Sequence, residues 1–247
     1  MRSRHQQEGV GGYNFSVTTK STMVPQLPRY VAKRVRRERK MLYEVEGCCY
    51  PGVTTVLSAT KPQESRDALQ RWRQRVGVEA AQQISGKASS AGTRLHKQIA
   101  AHLNGATADI PADLTGYWQS ILPVLNQVEE VLLVEGAVWH PEGFVGIPDA
   151  LVVVKGELHL CDWKTALRPK QPQWLGDYFL QIAAYREAAH QVYANFGLVV
   201  QKGLVAIALA DQPAQLFEVS LDDMDSHWQQ FERRLREFER RRLRAVD

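Results

Sequence analysis

FVGIPDALVVVKGELHLCDWKT, Phe144–Thr165, is the stretch from which the fold can be read. Apolar, β-branched runs lie on either side of Lys155-Gly156, and a glycine there supplies the positive φ that a two-residue hairpin turn needs. With those two residues as the loop, counting outward pairs Val154 with Glu157 and brings Asp149 opposite Asp162. Opposed residues hold their Cβ atoms roughly 4.5–5.5 Å apart, and like charges at that separation repel. A divalent cation between them would reverse the penalty. Side chains in a strand alternate with period two, so Lys164 falls on the Asp162 face, one pleat further along. The spacing therefore predicts two carboxylates and an ammonium on one patch. A plainer reading fits the same residues: an Asp162–Lys164 ion pair on an edge strand, with Asp149 capping a turn after Pro148.

Composition sets the limits around this stretch. A chain of 247 residues suffices for one sizeable core. Its 44% hydrophobic content is ordinary for a globular protein and excludes global disorder. A formal charge of +4 does not by itself indicate a nucleic-acid partner. The basic residues cluster in KRVRRERK, Lys33–Lys40, and in RRLR, Arg241–Arg244, and each run suits either a solvated surface or phosphate contact. Cys48, Cys49 and Cys161 lack framework spacing, which points to a reducing compartment without a disulfide scaffold. No apolar run has the length of a membrane span, so a soluble protein with no membrane partner is expected. Neither a helicase motif nor a G-x-x-x-x-G-K-[ST] phosphate loop is present, so the sequence supplies no motor.

Along the chain, residues 1–28 are rich in Gly, Ser, Thr and Gln and read as a flexible arm. Residues 29–247 read as one domain, with a mainly helical region at 29–130, a sheet at 131–220 and a C-terminal helix at 221–247. Met41–Leu57 alternates and turns at Pro51-Gly52, as a short hairpin or an extended lead-in; Thr54 or Thr55 is a candidate helix cap. Gln63–Ile84 is a predicted helix with a stripe of Leu69, Trp72, Val76 and Ala80 among Arg66, Arg71, Arg73 and Arg75. The stripe places Trp72 in the core, although an exposed tryptophan among arginines would also stack an unpaired base. Ser89–Leu103 predicts a second helix, with Thr93, His96, Ala100 and Leu103 on one face. Asp113–Glu130 predicts a third, kinked or split at Pro123.

Val131–Trp139 reads as a strand carrying Glu135 among apolar residues, either an edge acid facing water or a functional carboxylate. Arg168–Gln173 is a loop, and Trp174–Phe196 a helix with Gln181 and Tyr185 on one face. Val199–Leu209 and Leu216–Val219 are predicted strands. Leu221–Val246 is an amphipathic helix with Trp228, Phe231, Leu235 and Phe238 on its apolar side.

The runs GIPD and CDWK resemble the PD-(D/E)XK nuclease superfamily, with Asp149 as the first acid, Asp162 at the D/E position and Lys164 as the lysine. GTRLH ending at His96, the acidic strand at Glu135, and QIAAY from Gln181 to Tyr185 follow in the order of its RecB-like branch. The similarity extends over roughly Gly52 to Glu239. It implies an α/β fold of α+β type: a restriction-endonuclease-like mixed β-sheet core flanked by helices, with an N-terminal helical region. It also implies a metal-dependent deoxyribonuclease, an exonuclease hydrolysing phosphodiester bonds in single-stranded DNA or single-stranded tails.

By the same resemblance, Asp149, Asp162, the Trp163 carbonyl and His96 hold one or two Mg2+ or Mn2+ ions, imidazole suiting manganese better. Lys164 orients the attacking water or stabilises charge, Glu135 binds through water, and Gln181 and Tyr185 pack over the site or contact the DNA backbone. Val53-Thr54-Thr55 falls near the nucleic acid. The branch's iron–sulfur members need four thiolates, which three cysteines do not supply, so no cluster is expected. Bacterial and phage relatives imply a cytoplasmic location; the basic N-terminus leaves the mitochondrial matrix as the alternative, against which Pro25 and Pro28 count. Two alternatives remain open: a non-catalytic nucleic-acid-binding protein on the same fold, and an endonuclease or double-strand recombination exonuclease.

Overall fold

The hairpin at Lys155-Gly156 forms with the register counted from the sequence: Val154 pairs with Glu157 and Ala150 with Cys161. Both turn residues have positive φ, 52° and 73°, as a tight two-residue hairpin turn requires. The computed structural model describes residues 27–37 and 40–244. The expected arm at 1–28 lies outside them except for its last two residues, as do Glu38 and Arg39 of the first basic run.

Three short strands come first: β1 (Lys33–Arg37), β2 (Lys40–Val45) and β3 (Cys48–Tyr50). They pair antiparallel, so the basic run Lys33–Arg37 is a sheet edge. The β2–β3 turn falls at Glu46-Gly47, both with positive φ, and not at Pro51-Gly52. Four helices follow: α1 (Val53–Ala59), α2 (Gln63–Val76), α3 (Val78–Leu103) and α4 (Thr115–Leu125). Thr54 and Thr55 lie inside α1, whose N-cap is Gly52, so neither threonine caps it.

The helix boundary expected near Ser85-Gly86 falls instead at Gly77, with φ 87°, and α3 runs unbroken for 26 residues. Glycine within a helix costs only about 1 kcal/mol, which flanking turns absorb. A left-handed backbone ends the helix outright. Trp72 is not core. No residue of α2 is buried and Leu69 is 40% exposed: among the described residues nothing encloses the stripe that periodicity detects. In α3, Leu95 and Ile99 face inward instead of the Thr93–Leu103 set, with His96 half-buried beside them.

The remaining elements are β4 (Glu130–Val134), β5 (Val138–His140), β6 (Phe144–Gly146), β7 (Ala150–Val154), β8 (Glu157–Ala166), α5 (Gly176–Val192), β9 (Lys202–Leu209), β10 (Gln215–Val219) and α6 (Leu221–Arg244). The main sheet has the order β10-β9-β8-β7-β4; β8 and β9 are parallel and the other pairs antiparallel. This is the mixed sheet flanked by helices that the sequence implied. The single strand expected over Val131–Trp139 is two, separated by a bend at Glu135 whose φ is 48°.

Helices cover both faces of the sheet. Leu160, Val205 and Ile207 pack with Ile182, Tyr185 and Ala189 of α5 and Phe231 of α6. Cys161, Trp163 and Ala206 pack with Leu95 and Ile99 of α3 and Tyr117 and Ile121 of α4. A strand buried on both sides reads as a largely apolar run, as β8 does from Leu158 to Cys161, with His159 its one polar residue before Asp162. Arg234 pins α6 to the entrance of α5 by donating to Asp177 Oδ1 at 2.7 Å and to Thr60 Oγ1 at 2.8 Å.

Candidate active site

The site arises because β8 outruns β7. β7 starts at Ala150, while β8 carries Asp162, Trp163 and Lys164 onward beside β9. Asp149 occupies the resulting gap: its Oδ2 accepts the Trp163 backbone N–H at 2.6 Å. In an extended strand the N–H and C=O of one residue point to the same edge, so the Trp163 carbonyl faces the gap as well. His96, reaching over from α3, places Nδ1 2.9 Å from Asp149 Oδ1.

Asp162 lies on the face covered by α5 and is 2% exposed. Its Oδ1 accepts a hydrogen bond from Gln181 Nε2 at 3.1 Å. Its Oδ2 forms an ion pair with the Lys164 ammonium but, fully buried, has no partner at hydrogen-bonding angles. Gln181 Nε2 also donates to the Tyr185 hydroxyl at 2.7 Å. Lys164 Nζ lies 5.0 Å from the centre of the Tyr178 ring, within cation–π range.

Burial pushes Asp162 up to about 6, and Asp149 adds to the shift, against the opposing pull of Lys164 and His96. Burial works against charge on Lys164, but Asp162 and Asp149 outweigh it and raise its pKa. His96 behaves alike: burial is outweighed by the hydrogen bond to Asp149 and its charge, and the pKa rises. With its folded pKa above the ordinary carboxylate value, Asp162 contributes stability that is full below about pH 4 and lost as pH rises through about 6.

The structure thus brings together His96, Asp149, Asp162, Trp163, Lys164 and Gln181, with Tyr185 behind Gln181. Glu135 stands apart in its side-chain contacts. Its backbone N–H donates to the Asp149 carbonyl at 3.2 Å, yet among the described residues its carboxylate has no hydrogen bond or ion pair. Tyr178 was missed by sequence reading. It precedes Gln181 by three residues and so shares its helix face, a signal that was present but unused.

Among the described residues, no group of three or more His, Cys, Asp or Glu side chains is arranged as a metal cluster. The donors still suit a hard dication. Asp162 Oδ2 is buried with only the Lys164 ammonium against it, Asp149 retains spare lone pairs, and a backbone carbonyl faces the same gap. As placed, the Nδ1 of His96 engages Asp149.

Gly146 sets the position of the Gln181–Tyr185 pair. A Cβ there would sit 2.3 Å from the Tyr185 ring, inside any tolerable contact. Gly146→Ala is therefore expected to displace Tyr185 and destabilise the fold by about 1–3 kcal/mol, as overpacked cores do, measured by urea denaturation. Gly86→Ala, with open space around its Cβ, serves as the control and should not destabilise.

Residues 40–246 match the PD-(D/E)XK nuclease superfamily. The chain belongs to that superfamily. It is 31% identical over 204 residues to mitochondrial genome maintenance exonuclease 1 of Xenopus tropicalis, covering 78% of this chain and 58% of that one. The human protein of the same name is 29% identical over 199 residues, covering 76% of this chain and 58% of its own length. The chain thus spans less than two thirds of these relatives. An alkaline exonuclease from Laribacter hongkongensis superposes with a TM-score of 0.31 at 16% identity, over 62% of this chain and 84% of that one.

Proposed function

We propose that this protein is a metal-dependent DNA exonuclease that hydrolyses single strands or single-stranded tails from their ends. The observation that carries the chemistry is the gap beside β8, where Asp149 and the buried Asp162–Lys164 ion pair meet. End-directed cutting draws on the names of the similar proteins, and single-strand preference on the RecB-like resemblance.

Asp149, Asp162 and the Trp163 carbonyl would hold the ion, and bound Mg2+ or Mn2+ supplies polarisation of the phosphate and a more acidic water. The chain's own groups do the rest. Gln181 fixes Asp162 through Oδ1 and leaves Oδ2 directed away from that bond. His96 fixes Asp149 in the same manner. Lys164, paired with Asp162, is a cation suited to stabilising charge that develops on the phosphoryl oxygens or to orienting the attacking water.

The test is digestion of end-labelled linear and closed circular single strands, and of blunt duplex, with Mg2+, Mn2+ or EDTA. Loss of the linear strand from its ends in either metal, with the circle intact and EDTA abolishing cleavage, is expected. Cleavage of the circle would mark an endonuclease, and binding without cleavage in every metal a non-catalytic binding module.

A further inference from the structure

The segment joining the two halves of the site exposes two large apolar side chains. After β8 delivers Lys164, the chain runs through Leu167, 67% exposed, and Trp174, 63% exposed, before α5 supplies Tyr178 and Gln181. This segment is fixed at both ends. Lys170 donates its N–H to Gln215 Oε1 at 2.7 Å and accepts from Gln215 Nε2 at 3.2 Å. Leu175, next to Trp174, is 1% exposed and anchors the turn in the core. The indole stands on this backbone with no aromatic partner among the described residues, and Arg168 and Lys170 precede it in the same segment. An exposed tryptophan on an anchored segment that also carries two cations has the features of a stacking platform for an unpaired base.

Its place in the fold sets the distance to the reacting phosphate. Trp174 precedes Tyr178 by four residues, and the turn at Pro172–Trp174 leads directly into α5. Four residues of chain reach at most roughly 13–14 Å even when fully extended, which bounds how far the backbone at Trp174 can lie from that at Tyr178. Tyr178 in turn lies against Lys164 Nζ. Since stacked nucleotides advance about 3.4 Å per strand step, Trp174 lies within a few nucleotides of a phosphate at Lys164.

We propose that Trp174 stacks on a base of the single-stranded substrate close to the scissile phosphate, with Arg168 and Lys170 meeting the adjoining phosphates. The proposal rests on the nuclease reading and adds to it a residue that favours an unpaired strand: a paired base offers no free face to the indole. A peptide partner at the same indole would gain nothing from the site, whereas a strand bound at Lys164 extends over the few nucleotides that separate it from Trp174.

The experiment compares wild type, Trp174→Ala and Trp174→Phe on a short labelled oligothymidylate and on versions with an abasic residue at each position near the end. Anisotropy in EDTA reads binding, and steady-state cleavage separates KM from kcat. Trp174→Ala should weaken binding and raise KM by about 5-fold to about 150-fold with kcat little changed, while Trp174→Phe stays near wild type. One abasic position should reproduce that loss in wild type and add nothing in Trp174→Ala. If wild type neither binds nor cuts the intact strand, the nuclease reading fails and takes this proposal with it. If wild type binds and cuts but Trp174→Ala does so equally well, or loses as much as wild type at every abasic position, this proposal alone is overturned.

Discussion

Asp162→Asn is expected to abolish the rise in thermal stability that Mg2+ or Mn2+ gives the wild-type protein, and to reduce cleavage by roughly a thousandfold or more. Asparagine keeps the shape and the acceptor for Gln181 Nε2, so the 3.1 Å hydrogen bond can persist. What it removes is the buried negative charge opposite Asp149. For wild type, metal at about 100 times its Kd stabilises by about 2.7 kcal/mol, or roughly 5–10 °C in a chain of this size. The pH dependence follows from the same group. Because Asp162 in the metal-free protein holds its proton up to about pH 6, protons compete with the cation below that value. The wild-type shift should shrink from pH 8 to pH 5, while Asp162→Asn shows no shift at either. Differential scanning fluorimetry across that range measures both.

Lys164→Met should separate binding of the ion from chemistry. The methionine stem retains most of the lysine's packing against Tyr178, but the cation near Asp162 is gone. Cleavage should fall by about 100-fold to about 10,000-fold, the range for losing a charge-stabilising or proton-transferring group. The metal-induced stabilisation should survive or grow, since one positive charge competing for the carboxylates has been removed. Parallel loss of stabilisation and cleavage would mean that Lys164 merely holds Asp162 in place. Single-turnover cleavage beside fluorimetry on the same preparation distinguishes the two.

The parts of this arrangement legible in the sequence were those set by local chemistry. Lys155-Gly156 and the β-branched runs around it fixed the hairpin register, and period two then put Asp162 and Lys164 on one face. Non-local facts came less readily. That His96 meets Asp149, 53 residues away, was suggested only by family resemblance, and even then as a shared metal and not as a direct contact. Periodicity found the stripe of α2 but could not say whether anything would enclose it, and among the described residues nothing does. Glu135 looked like a strand residue by composition, yet tertiary context bends the backbone there to a positive φ. The choice between Gly77 and Gly86 as the helix break depended on where the chain needed to turn, which neither glycine reveals alone.

The central claim is that Asp149, Asp162 and the Trp163 carbonyl jointly admit a divalent cation. A crystal soaked in Mn2+ and measured at the manganese absorption edge tests it most directly. An anomalous peak within roughly 2.0–2.6 Å of oxygens from both carboxylates is the result expected. Manganese that supports cleavage in solution but binds elsewhere in the crystal, with Asp162 still paired only to Lys164, would contradict it.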